Sequence, residues 1–90
     1  MTVQDDVAVT IRYFAGAARA AGLEQERVTL PPGSTVADAL AGAGARCGPA
    51  LARVIAASSV LVDGVHDRTG QSTLVGATTT LDVLPPFAGG

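Results

Sequence analysis

Apolar and polar positions alternate cleanly at the start of the chain. Val7, Val9, Ile11 and Tyr13 interleave with Ala8, Thr10, Arg12 and Phe14, a period of two that predicts a strand with one face in the core. Phe14 falls on the less buried side of that alternation, and by pattern alone it also reads as a core residue at a strand end. Ala15 to Gly22 is alanine-rich and bounded by glycine, predicting a loop or short helical turn that contains Arg19. Arg27 to Leu30 predicts a second strand, which Pro31, Pro32 and Gly33 end.

The period then changes. Val36, Ala39, Leu40 and Ala43 recur at i, i+3, i+4 and i+7 behind Thr35, with Asp38 in the first turn, predicting a capped amphipathic helix that Gly42 and Gly44 weaken at its far end. Gly48 and Pro49 interrupt the pattern, and Leu51, Val54 and Ile55 predict a second short helix. Val60 to Val62 reads as a strand, Asp63 and Gly64 as a turn, and Val65 to Arg68 as a short returning strand. Leu81 to Leu84 is the last strand, with Thr78, Thr79 and Thr80 favouring extension into it. A hairpin, a helix and further strands describe an α+β, ubiquitin-like β-grasp fold: a mixed sheet with one main helix packed across it and the final strand set beside the first.

Ninety residues make a single domain, 1–90, with residues 1–6 as a flexible leader and 85–90 as a projecting C-terminal tail. Hydrophobic residues reach 48% but aromatics only 3%, and much of the apolar count is alanine, so the core is thin. Hydrophobic surface reserved for a partner is therefore a sacrifice of stability.

Net charge is −2, and all six basic residues are arginines scattered from Arg12 to Arg68, which argues against nucleic acid. The absence of lysine leaves no internal ε-amine for Schiff-base chemistry. No apolar run approaches the ~20 residues that span a bilayer, and the first residues lack a signal-peptide pattern; a cytoplasmic location is expected. His66 beside Asp67 reads as a solvated loop residue, and Cys47, between Arg46 and Gly48, as a small packing residue. Neither has the partners that a metal site or catalytic triad needs. Asp63 and Asp67 are too few for a cation cage, and Asp5 and Asp6 read as a solvated acidic leader.

The unusual stretch is the end. Pro85 and Pro86 stiffen the exit from the last strand and offer no amide donors, while Gly89 and Gly90 carry no side chains. Phe87 to Gly90 at full extension reach roughly 13 Å, enough to thread a terminal carboxylate into a partner's active site.

The ending Leu84 to Gly90, together with Arg12, Tyr13, Phe14 and Ala15, resembles the MoaD/ThiS family, and in particular the small sulfur-carrier subunit of molybdopterin synthase. The resemblance spans Val7 to Gly90. It implies a small subunit with no active site of its own. An E1-like, MoeB-like adenylyltransferase would use ATP to adenylate the Gly90 carboxylate, and a sulfur donor would convert it to a thiocarboxylate. A large, MoaE-like synthase subunit would then set that sulfur against cyclic pyranopterin monophosphate to form the dithiolene of the molybdenum cofactor. No cofactor is expected on this chain.

The resemblance also places Phe14, Val65 and Leu84 on an exposed hydrophobic docking surface, with Arg19 as a polar contact beside them and Phe87 and Gly89 in the inserted tail. Two residues depart from the family pattern. Asp63 stands where asparagine is common, and Ala77 where an acidic residue usually precedes the last strand. Two alternatives stay open: a related carrier for thiazole or cysteine synthesis, and a ubiquitin-like modifier attached through Gly90 to lysines of other proteins.

Overall fold

The computed structural model describes residues 6–67, 74 and 78–86. Its centre is β1 (Val7–Tyr13), whose inward residues Val7, Val9, Ile11 and Tyr13 are all buried, as the alternation predicts. On one side β1 pairs antiparallel with β2 (Gln25–Leu30); on the other it pairs parallel with β5 (Thr78–Leu84). The strands β3 (Ser59–Val62) and β4 (Val65–Asp67) complete a five-stranded mixed sheet in the order β2-β1-β5-β3-β4. This is the β-grasp arrangement, with the first and last strands side by side at its centre.

Two strands are longer than the apolar pattern predicts, because backbone pairing continues where side chains turn polar. Gln25 and Glu26 join β2 opposite Arg12 and Ile11, and the three threonines of β5 pair with Ala8, Val9 and Thr10. Opposing residues share a face, so Ile11 and Leu81, and Tyr13 and Val83, point together into the core. Each fully buried Leu or Ile there contributes about 1.5–3 kcal/mol.

Among the described residues three helices accompany the sheet where the periodicity predicts one main helix and a short second: α1 (Gly16–Ala21), α2 (Val36–Cys47) and α3 (Pro49–Ala57). The longest, α2, begins in a reciprocal cap. Thr35 Oγ1 accepts from the Asp38 N–H at 3.1 Å, and Asp38 Oδ2 accepts from the Thr35 N–H at 2.9 Å, an arrangement worth ~1 kcal/mol. The helix runs through Gly42 and Gly44 instead of weakening there. At Gly44 the reason is close packing: a Cβ at that position would lie 3.2 Å from Ala52 Cβ on α3. Gly48, at φ 105°, makes the break, and Pro49 opens α3.

The β3–β4 turn resolves one departure from the family pattern. Asp63 takes φ 48° and Gly64 φ 87°, the left-handed pair that a tight hairpin requires. Asp63 Oδ1 also accepts from the Thr80 N–H at 2.8 Å, while its own N–H donates to the Thr80 carbonyl. The aspartate thus supplies the same acceptor oxygen that an asparagine would. Ala77, the other departure, lies outside the described residues. Leu74 is buried, and its N–H donates to the Ser34 carbonyl at 2.8 Å.

Candidate functional site

The parallel pairing of β1 and β5 sets Arg12 directly opposite Asp82 on the sheet face turned away from Ile11 and Leu81. The guanidinium grips the carboxylate with two hydrogen bonds, Nε to Oδ1 at 2.6 Å and Nη2 to Oδ2 at 2.8 Å, the strong forked geometry of arginine with carboxylate. Hydrogen bonding to Asp82, then its charge, raises the Arg12 pKa. Two positions along the same strand face, the Phe14 ring lies 5.6 Å from the guanidinium carbon, within reach of a cation–π contact. Phe14 is therefore held in place while remaining 39% exposed. Ala15, with φ 49° and ψ −122°, then swings the chain from β1 into α1. Asp82→Ala is expected to lower the urea midpoint of unfolding, and the gap from wild type should shrink in high salt because half-exposed pairs are screened. An unchanged midpoint would show that the pair holds nothing together.

Beside Phe14 opens a groove of about 840 Å³. Leu84, Pro85 and Pro86 form one rim where β5 ends, Arg19 projects from α1, and Arg53 and Val54 come from α3. Phe14, Arg19 and Leu84 are thus gathered at one place, at the point where the chain leaves the sheet. Val65 is 70% exposed but lies elsewhere, on edge strand β4. Its register with Val62 and Leu81 turns it to the opposite sheet face from Phe14 and Leu84. Phe87, Gly89 and Gly90 lie outside the described residues.

Residues 11–90 match the ThiS family. The chain belongs to that family. Among solved structures it is similar to SAMP1 from Haloferax volcanii, with 31% identity over 92% of this chain and 99% of that one and a TM-score of 0.74. The small archaeal modifier protein 1 of Methanosarcina acetivorans is 24% identical over 97% of this chain and 100% of that one, with a TM-score of 0.77. A putative molybdopterin converting factor subunit 1 from Pyrococcus furiosus is 20% identical over 89% and 98%, with a TM-score of 0.69. These last two likenesses are of fold. No curated protein matches the chain. The ubiquitin-like β-grasp fold of small sulfur carriers and modifiers is thus shared along nearly the full length.

Among the described residues of this ThiS-family chain, the remaining reactive side chains do not converge on the groove. Cys47 ends α2 within a separate cluster. The buried Tyr13 hydroxyl donates to Glu26 Oε2, Arg46 Nε donates to Glu26 Oε1 at 3.2 Å, and Cys47 Sγ lies 4.0 Å from Glu26 Oε2. Burial first, and the Glu26 hydrogen bond second, push the Tyr13 pKa up, which keeps its hydroxyl a donor. The cluster ties β1, β2 and α2 together, and Cys47 fills space within it. On the reading of the chain as a sulfur carrier that its family resemblance implies, Cys47→Ser is accordingly expected to acquire sulfur at the wild-type rate; failure of the folded variant to do so would assign the thiol a chemical role. His66 is exposed on β4 and not in a loop. Among the described residues no three His, Cys, Asp or Glu side chains are grouped to hold a metal, and no helix is long and apolar enough to cross a membrane.

Proposed function

We propose that this chain is a sulfur carrier for molybdenum-cofactor synthesis, working in the cytoplasm as the non-catalytic small subunit of a molybdopterin synthase. The observation that carries the reading is the meeting of Phe14, Arg19 and Leu84 at the exit of β5, where Pro85 and Pro86 lead toward Phe87, Ala88, Gly89 and Gly90. A partner gripping that surface takes hold of the tail at its root. In the proposed cycle an E1-like enzyme binds ATP, and the Gly90 carboxylate attacks its α-phosphorus, releasing pyrophosphate and forming an acyl adenylate. A hydrosulfide-level donor then attacks the carbonyl carbon and AMP leaves, yielding a thiocarboxylate. Sulfur is the more polarisable atom, so the terminus becomes a nucleophile. The large subunit would position it against cyclic pyranopterin monophosphate, supplying the acid–base groups.

The test is incubation with activating enzyme, ATP and a sulfur donor, followed by intact mass. Replacement of one oxygen by sulfur is expected, and its transfer to the pyranopterin upon addition of the large subunit. No mass change would overturn the reading. A second reading, that of a protein modifier, is favoured by the 31% identity to Haloferax volcanii SAMP1 over 99% of that chain. It predicts covalent adducts to lysines of other proteins in place of an accumulating free thiocarboxylate.

A further inference from the structure

The groove at the β5 exit has a charge pattern that docking by Phe14 and Leu84 does not account for. Along α3, Ala50, Arg53, Val54 and Ala57 recur at i, i+3, i+4 and i+7 and all line the groove, while Leu51 on the same helix is fully buried in the core. The helix therefore has a second face along the groove, on which Ala50, Arg53 and Ala57 are exposed while Val54 is half-buried against the core. Facing it from α1 is Arg19. These two guanidiniums are the only charged side chains among the described residues of the groove, whose other lining is apolar or backbone. Arg12 and Arg46 each hold a carboxylate, whereas neither Arg19 nor Arg53 forms an ion pair among the described residues. On a chain of net charge −2, the groove is a local reversal of sign.

That combination restricts the occupant. A wholly apolar segment would cover two guanidiniums without compensation, which is costly. A polyanion would meet only two cations on a chain that otherwise repels it. We infer that the groove receives a segment of the activating enzyme carrying apolar side chains flanked by carboxylates, with Arg19 and Arg53 as the charges that select it. The enzyme's identity rests on the sulfur-carrier reading above; the chemistry of the segment rests on the groove. Alanines at 50 and 57 let the segment approach α3 closely, and the groove's volume accommodates several side chains.

Arg53 is exposed, so its replacement tests recognition with little risk to folding. Binding of the full chain to the activating enzyme is measured by calorimetry at low and high salt for wild type, Arg53→Glu, Arg53→Gln and Arg53→Lys, with sulfur acquisition followed on the same samples. Arg53→Glu should weaken Kd by at least about tenfold at low salt and flatten its salt dependence. Arg53→Gln should fall between, and Arg53→Lys should keep most of the affinity. Wild-type affinity in a folded Arg53→Glu chain that still acquires sulfur overturns the inference and leaves the carrier reading intact. A wild-type chain that neither binds the enzyme nor acquires sulfur overturns both. Protection of α3 amides by a single-stranded oligonucleotide, and not by the enzyme, also overturns it.

Discussion

Gly89→Val is expected to abolish thiocarboxylate formation while leaving the unfolding midpoint of the free protein unchanged. Gly89 follows the end of β5 at Leu84 and the Pro85–Pro86 step in the sequence, and a residue past the last strand is expected to contribute little to stability. Its effect falls on the tail. A β-branched residue restricts the backbone and adds bulk that the narrow channel expected in an activating enzyme should not admit. On the sulfur-carrier reading the terminal carboxylate should then fail to reach the α-phosphorus of ATP in a near-attack geometry, where an error of about 1 Å costs on the order of a hundredfold in rate. Deleting Gly90 should fail by a related route, withdrawing the carboxylate by roughly 3.5 Å. Mass spectrometry after incubation with activating enzyme, ATP and a sulfur donor is the measurement. Wild-type rates in both variants would remove the tail from the mechanism.

The second large effect is expected at Phe14. Phe14→Asp should weaken binding of the activating enzyme and the large subunit by about 2 kcal/mol or more, roughly thirtyfold in Kd, because a charge replaces an aromatic in a surface that must be desolvated. Arg12, close beneath the ring, could partly neutralise the new carboxylate. Phe14→Ala is therefore the companion variant: it adds no charge and should still lose affinity through lost contact area. Phe14 is 39% exposed in the free chain, so both variants should remain folded by circular dichroism. Leu84→Asp belongs to the same series, since Leu84 shares the groove rim. Unchanged affinity for both partners in all three variants would take these residues out of the interface.

Much of this architecture is legible in one dimension because it depends on local periodicity. The alternation Val7-Val9-Ile11-Tyr13 names the buried face of β1, and the 3.6-residue spacing from Val36 to Ala43, with Thr35 and Asp38, names α2 and its cap. Asp63-Gly64 announces its turn in the same way. The short helix α1 was less legible, since six residues rich in alanine carry almost no amphipathic signal. Gly44 was misleading for a physical reason: propensity charges a mid-helix glycine with a penalty, whereas here its missing Cβ admits Ala52. Arg53 and its stripe were present as a spacing, but nothing in the spacing says what lies opposite.

The chain's own residue pattern is sufficient for the apolar cores of the strands and for the main helix, because each follows from the conformational preferences of neighbouring residues. Pairings between distant residues are a different matter. Arg12 and Asp82 are separated by 70 positions, and neither carries a mark of the other; they meet because β1 and β5 run parallel in one register, and a shift of one residue would send Asp82 to the core face. The same register brings Phe14 beside Leu84 and turns Val65 to the opposite side. Tyr13, Glu26 and Arg46 likewise come together only once β2 lies against β1 and α2 crosses above them. Local chemistry specifies which face a side chain takes, while long-range packing specifies its company, and it is that company that makes the groove at the end of β5.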